Sequence, residues 1–206
     1  METQCNKLNA FSLAELLVVL SILSVLFLIG VRTLRSKSPQ VMGANLRKAY
    51  ANLERVVSYL VNDSGYYSHD DGFADLTVIS SEGTSNKFCY WFKNVLNVSE
   101  DFGCPQNGDT GTVKIAKSAD GAIWYFSPAS FVMNSSNYDN KMIVDVNGEK
   151  EPNCLSNTLC STYKPTGYQC ECDSPDTFIF GVRYDGKIDV SNDTKAVEFL
   201  EDVKKY

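Results

Sequence analysis

The chain has 206 residues, of which 44% are hydrophobic and 21% charged, and its net charge is -6. That length suits one ordinary domain beside a short accessory segment. The acidic balance argues against nucleic acid as a partner, because phosphate contacts require clustered Lys and Arg side chains.

The first two segments of the chain are a polar stretch and a long apolar run. Residues 1–10, METQCNKLNA, hold a single Lys and no apolar region, so they do not form a conventional secretory signal. Residues 11–31, FSLAELLVVLSILSVLFLIGV, are apolar except for three serines and Glu15. A helix of this length reaches about 30 Å, enough to span a bilayer. Because a buried carboxylate costs about 3 kcal/mol there, Glu15 predicts a functional role.

Residues 10–19, AFSLAELLVV, resemble the processing signal of type IV pilins and type II secretion pseudopilins. The resemblance implies that a prepilin peptidase cleaves between Ala10 and Phe11 and methylates the new amino terminus. Ala10 stands where the family usually has Gly. In that family the apolar helix polymerises, and the resemblance implies that Glu15 meets the amino terminus of Phe11 in a neighbouring subunit.

The seven cysteines indicate an oxidising compartment. Removal of the leader would remove Cys5 and leave an even set of six, all beyond the apolar run. Cys170 and Cys172 are too close in sequence to bridge each other readily. This leaves twelve of the fifteen possible pairings, and among them we favour Cys89 with Cys104, and Cys154 and Cys160 with Cys170 and Cys172 in either order. A zinc site is disfavoured, since there is no CxxC motif and a single histidine.

Residues 32–62 carry apolar side chains every three or four positions, which predicts an amphipathic helix that continues the apolar one. Pro39 predicts a kink or short break in it. The sequence Asn62-Asp63-Ser64-Gly65 predicts its end. The chain therefore divides into a leader (1–10), a transmembrane and polymerisation helix (11–31), its amphipathic continuation (32–62) and a globular domain (63–206).

Within 63–206 the pattern predicts a long connection, a helix and then strands. A short element is expected at 76–79 and a helix at 88–98 with an apolar stripe. Strands are expected at 112–117, 122–126, 142–146, 177–184 and 187–190, with Asp-Gly turns in two hairpins. Residues 154–172 read as a disulfide-stapled loop without a core of its own, and 195–204 as a terminal helix.

A second resemblance supports the first. The segment from Asp145-Val146-Asn147-Gly148 to Pro152-Asn153, followed by Asp176-Thr177-Phe178-Ile179-Phe180, resembles motifs of pilin-like globular domains. The cysteine-bearing insertion 154–172 departs from that pattern, and we expect it on the exposed face.

No constellation predicts catalysis or a cofactor. His69 is the only histidine and lies in a polar loop, where a solvated side chain is expected instead of a general base. Asp145, Asn147 and Asp176, with Asp139 as a further carboxylate, are weak candidates for calcium ligands. The twelve-residue loop typical of strong calcium sites is absent from the sequence.

These observations predict an α+β, pilin-like fold: a long N-terminal helix whose second half packs on an antiparallel β-sheet, with a disulfide-rich C-terminal loop. The expected function is structural and not enzymatic, as a subunit of a type IV pilus or secretion pseudopilus. The resemblance implies other pilins, the prepilin peptidase, membrane lipid, and an inner-membrane assembly platform with its ATPase as partners. It implies an inner-membrane precursor and then a periplasmic or surface filament. The alternative is an exported, membrane-anchored protein whose outer domain binds a ligand or acts as an enzyme.

Overall fold

A computed structural model of the chain describes residues 13–36, 39–75, 84–106, 109, 111–127, 131–133, 135–138, 140–155, 158–170, 172–190 and 192–201. Side chains are described within these ranges except at 29–36, 39 and 84–86. The predicted element at 76–79 and the predicted cleavage point lie outside the described residues. The chain divides into two compact units, Met1–Ser38 and Pro39–Tyr206.

The described residues form five α-helices and eight strands. The helices are α1 Leu13–Ser36, α2 Pro39–Asn62, α3 Thr84–Val95, α4 Cys160–Tyr163 and α5 Thr194–Glu201, with a 3-10 turn at Gly72–Ala74. The strands are β1 Val98–Asp101, β2 Val113–Ser118, β3 Ile123–Ser127, β4 Asn140–Asp145, β5 Cys154–Leu155, β6 Gln169–Cys170, β7 Thr177–Val182 and β8 Ile188–Asp189.

The helix α2 has the amphipathic pattern that the sequence predicts. Its apolar residues at three- and four-residue spacing, among them Leu46, Leu53 and Leu60, are fully buried. The first residue of α2 is Pro39, a position where the missing N–H of proline costs no helical hydrogen bond. The structure describes α1 up to Ser36 and α2 from Pro39, so the predicted interruption involves residues 37–38, which lie outside the described residues.

Most of the sheet is antiparallel, in the order β1-β2-β3-β4-β7-β5-β6, and β8 also pairs with β7. The centre of the sheet is formed by β3, β4 and β7, whose registers include Tyr125 with Ile143 and Ile143 with Ile179. Two predicted hairpins are confirmed. Asp120-Gly121 connects β2 with β3, and Asp185-Gly186 connects β7 with β8.

Both faces of the central strands are buried, and each covers a different core. One face, with Trp124, Phe126 and Phe180, packs in the main core with α2, α3 and α5. The side chains that alternate with these, Ile123, Tyr125, Ile143 and Ile179, form a smaller core with Leu155 and Cys160. The strong burial of β3 follows from this two-sided packing, because alternate residues of a strand point to opposite faces.

Two predictions about this region need correction. The sheet is mixed instead of antiparallel, because β5 pairs in parallel with both β6 and β7. Residues 154–172 are also more than a stapled loop, since they supply β5, α4 and β6 and cover the second face of the sheet. The sequence shows no clear periodicity there because each element has only two to four residues. The strand β1, which pairs with β2, was not predicted.

The remaining helices agree with the sequence pattern. In α3, Phe88 and Phe92 lie one turn apart and are buried in the main core. At α5, a side-chain oxygen of Asp193 accepts the backbone N–H of Ala196 at 3.0 Å, which caps the first turn. Among the described residues, we find no helix with both the length and the apolar character that crossing a membrane requires.

Candidate functional site

The described side chains of α1 are exposed around the whole helix. Twelve large apolar residues between Leu13 and Leu28 are 51% to 80% exposed, with Val19 and Leu13 at the two ends of that range. An exposed apolar surface much beyond a few hundred Å² marks a contact with protein or lipid. A helix that is apolar on all sides is stable when other molecules surround it.

The few polar side chains of α1 fit an apolar environment. The hydroxyl of Ser21 donates to the carbonyl of Val18 at 2.7 Å, and that of Ser24 donates to the carbonyl of Leu20 at 2.7 Å. These bonds satisfy the hydroxyls within the helix, as hydrocarbon surroundings require. Glu15 lies in the first described turn of α1, where the helix dipole favours a negative charge. Ala10 and Phe11, the predicted processing residues, are outside the described residues.

All six cysteines beyond α1 are paired. Cys89 bonds to Cys104, which confirms the first predicted pair. Cys154 bonds to Cys172 and Cys160 bonds to Cys170, so the structure selects one of the two orders that the sequence left open. The second and third bridges link β5, α4 and β6, whose residues Leu155, Cys160 and Cys170 contact the smaller core. They thus enclose the smaller core, which a short segment could not cover stably alone.

Asp176 connects the three pieces of the second sequence motif. Its carboxylate accepts the backbone N–H of Cys154 at 2.7 Å and that of Asn153 at 2.9 Å. It also accepts the side-chain amide of Asn147 at 3.0 Å. Asp176 is fully buried, and hydrogen bonds from several donors are what makes a buried carboxylate tolerable. The Asp-x-Asn-Gly, Pro-Asn and Asp-x-Phe-x-Phe segments therefore form one structural clamp.

Asp145 belongs to a second network under the cysteine-bearing segment. Its carboxylate accepts the hydroxyl of Tyr168 at 2.6 Å and the backbone N–H of Asn147 at 3.1 Å. The Tyr168 hydroxyl also lies 2.8 Å from that of Tyr125 in β3. Burial, together with the neighbouring Asp176 carboxylate, raises the pKa of Asp145 to about 7, although the hydrogen bond from Tyr168 opposes this shift. Burial likewise raises the pKa of Tyr168.

Of the calcium candidates, Asp145, Asn147 and Asp176 lie close together, whereas Asp139 lies outside the described residues. The carboxylates of Asp145 and Asp176 accept hydrogen bonds from the protein, but the side-chain oxygen of Asn147 is buried without a donor among the described residues. Asp145, Asn147 and Asp176 share hydrogen bonds with one another and with neighbouring backbone N–H groups. A calcium site would require six to eight oxygens directed at one point. In the described part of the chain, no group of three or more His, Cys, Asp or Glu is placed to hold a metal ion. These residues are better described as the internal clamp of the domain.

His69 is exposed, as its polar loop predicts. The sequence did not identify Tyr168 or Tyr125 as network members. Tyr168 lies in the segment expected to lack a core, and Tyr125 reads as an ordinary strand aromatic. The available signal was the apolar and aromatic content of 154–172, where Leu159, Tyr163 and Tyr168 pack against the smaller core.

No protein-family model, no curated protein and no solved structure matches this chain.

Proposed function

We propose that this chain is a structural subunit of a type IV pilus or a type II secretion pseudopilus. The observation that carries the proposal is the exposed apolar surface of α1 with Glu15 in its first described turn. In a bilayer this surface contacts lipid, and in a filament it contacts the same helix of other copies. The sequence resemblance at residues 10–19 supports the filament as the form in which the chain functions.

The membrane-bound precursor is part of this proposal. The apolar run extends over residues 11–31 in the sequence, whereas the described side chains of this run end at Leu28. Cleavage before Phe11 leaves six cysteines, and the structure accommodates all six as disulfides. This set of bridges supports export of residues 39–206 to an oxidising compartment. The proposed partners are other pilins, the prepilin peptidase and an inner-membrane assembly platform with its ATPase.

The substitution Glu15→Ala tests the polymerisation step. The variant should insert in the membrane and be cleaved before Phe11, as mass spectrometry would show, but it should yield no sheared filaments. Ser21→Ala is the matched control, since it removes a polar group from the same helix and should leave filaments intact. Filaments from Glu15→Ala at the wild-type level would contradict the proposed role of Glu15.

The wild-type chain also separates the two candidate functions. Purified surface or periplasmic filaments should contain this chain with an amino terminus at Phe11. If the chain remains a membrane-anchored monomer with residues 1–10 attached, the proposal fails, and an anchored protein with a ligand-binding or enzymatic outer domain becomes the better description.

A further inference from the structure

One exposed face of α2 differs in chemistry from the rest of the domain. Lys48, Asn52, Arg55 and Tyr59 recur at spacings of four, three and four residues, so they lie along one side of the helix, and we call them the α2 stripe. Lys48, Asn52 and Arg55 line a groove of about 340 Å³ together with Asn97, Ser118 and Asp120.

The charge of the groove is only partly neutralised within the chain. The ammonium of Lys48 lies 3.3 Å from a carboxylate oxygen of Asp120, and the amide of Asn52 lies 3.5 Å from the same oxygen. Arg55 makes no ion pair or hydrogen bond with another described residue. The groove therefore offers an exposed guanidinium, which is well suited to bind a carboxylate in a planar, two-bond geometry.

An aromatic row continues the stripe. Ring centroids are 5.6 Å apart between Tyr59 and Tyr66, 4.7 Å between Tyr66 and Trp91, and 5.0 Å between Trp91 and Tyr90. The ends of the row are open to solvent, with Tyr59 49% and Tyr90 40% exposed. The indole N–H of Trp91 is buried without a hydrogen-bond acceptor among the described residues. Tyr, Trp and Arg are the residues that most often dominate the energy of protein interfaces.

Residues 11–62, which include the α2 stripe, and residues 63–206 carry opposite net charges. Residues 11–62 hold six Lys and Arg against two Asp and Glu, a net charge of +4. Residues 63–206 hold 12 Lys and Arg against 22 Asp and Glu, a net charge of -10. The basic part of one copy therefore complements the acidic part of another. Contacts between two different surfaces of identical chains form rings or open filaments, and open filaments agree with the proposed assembly.

We propose that the α2 stripe and its aromatic row dock a second copy of this chain, through an acidic surface within residues 63–206 of that copy. This inference rests on the proposed function, in which copies polymerise through α1. It adds a second contact between copies, made by residues 39–206. Arg55 binds a carboxylate of the neighbouring copy, and the aromatic row provides the desolvated area beside it.

Photo-crosslinking in cells that produce the full chain tests this contact. Tyr59 is replaced by benzoylphenylalanine, and copies with two different epitope tags are produced together. We expect a band at twice the monomer mass that carries both tags, with the crosslinked peptide in the acidic part of the second copy. The same probe at exposed Lys164, in the segment that covers the opposite sheet face, should give no such band.

Arg55→Glu should lower the yield of this band about tenfold, the loss expected when about 1.4 kcal/mol of contact energy is removed. Lys150→Glu changes an exposed charge by the same amount but adds to the acidic part of the chain, so it should not lower the yield. Filaments with no Tyr59 crosslink, or with a crosslink to lipid, glycan or a different protein, would overturn the inference and leave the proposed function standing. If the two-tag crosslink forms but the wild-type chain yields no filaments, the contact between copies is supported and the proposed pilus or pseudopilus function is rejected. If neither the crosslink nor filaments are found, the contact and the proposed function are both rejected.

Discussion

The apolar residues of α1 and of the central strands have similar chemistry but opposite surroundings. Leu20 in α1 is 52% exposed, whereas Phe180 in β7 is fully buried against the ring of Tyr50 and other core residues. The domain buries its apolar surface within one chain. The described apolar side chains of α1 stay exposed, so they add no burial energy to the fold of the domain.

The polar groups follow the same division. In α1, the hydroxyls of Ser21 and Ser24 each donate to a carbonyl of the same helix. In the domain, Asp176 connects residues that are 22 to 29 positions away in sequence. The bonds of these two hydroxyls therefore do not depend on a particular tertiary fold, whereas the bonds of Asp176 define one.

The comparison predicts the largest difference for apolar truncation. Phe180→Ala should lower the free energy of unfolding of the domain by about 3 to 5 kcal/mol, because it removes a fully buried ring. Leu20→Ala should leave that free energy unchanged and act on assembly instead. Denaturation of the full chain in detergent, followed by the fluorescence of Trp91 and Trp124, measures both variants. Equal losses from the two would show that α1 contributes to the folding of the domain.

The disulfides offer the next test. Changing Cys160 and Cys170 to Ala should lower the free energy of unfolding by about 3 kcal/mol, because the bridge between them closes a span of ten residues. Ser161→Ala, at an exposed position in the same segment, is the control. An unchanged unfolding midpoint in the double variant would mean that the smaller core holds β5, α4 and β6 without the bridge.

The clamp should respond to a change of one atom. Asp176→Asn replaces one acceptor oxygen by a donor, so at least one of the N–H groups of Asn153 and Cys154 loses its partner. We expect a loss of about 1 to 3 kcal/mol, the usual cost of an unsatisfied buried group. Asp173→Asn, at an exposed position nearby, should change the free energy of unfolding little. Equal stability of both variants would remove Asp176 from its proposed structural role.

The sequence predicted features that have a local physical signal. The spacing of Leu46, Leu53 and Leu60 fixes the buried face of α2, and the Asp-Gly turns fix two hairpins. Excluding a Cys170–Cys172 bridge leaves twelve of the fifteen possible pairings, and the structure has one of the two arrangements that we favour among them. The final choice between those two depended on the fold of 154–172.

What the sequence did not predict depends on contacts between distant residues. In the parallel pairing of β5 with β7, a single pair of residues, Leu155 and Thr177, is in register. A strand of two residues is too short to show an alternating sequence pattern. The bonds between Tyr168, Asp145 and Tyr125 likewise join positions on three separate segments. The neighbouring sequence of each of these residues does not mark it as a member of a hydrogen-bond network, because its partners are distant in sequence.

A test by pH also separates the two regions, because the Asp145 network lies entirely within the domain. The pKa of Asp145 is raised from 3.8 to about 7 in the folded chain, so between these values the folded state holds more protons than the unfolded state. The free energy of unfolding should therefore fall as pH rises from about 4 to about 7, by at most about 1.4 kcal/mol per pH unit, and change little above that. The lowered pKa of Asp185, about 2, acts only in more acidic solution, where its stabilisation is lost as pH falls. Subtracting the Asp145→Asn curve from the wild-type curve isolates the Asp145 contribution, since Asn does not titrate. A difference that stays constant between pH 4 and pH 7 would show that the carboxylate remains ionised beneath Tyr168, despite its burial.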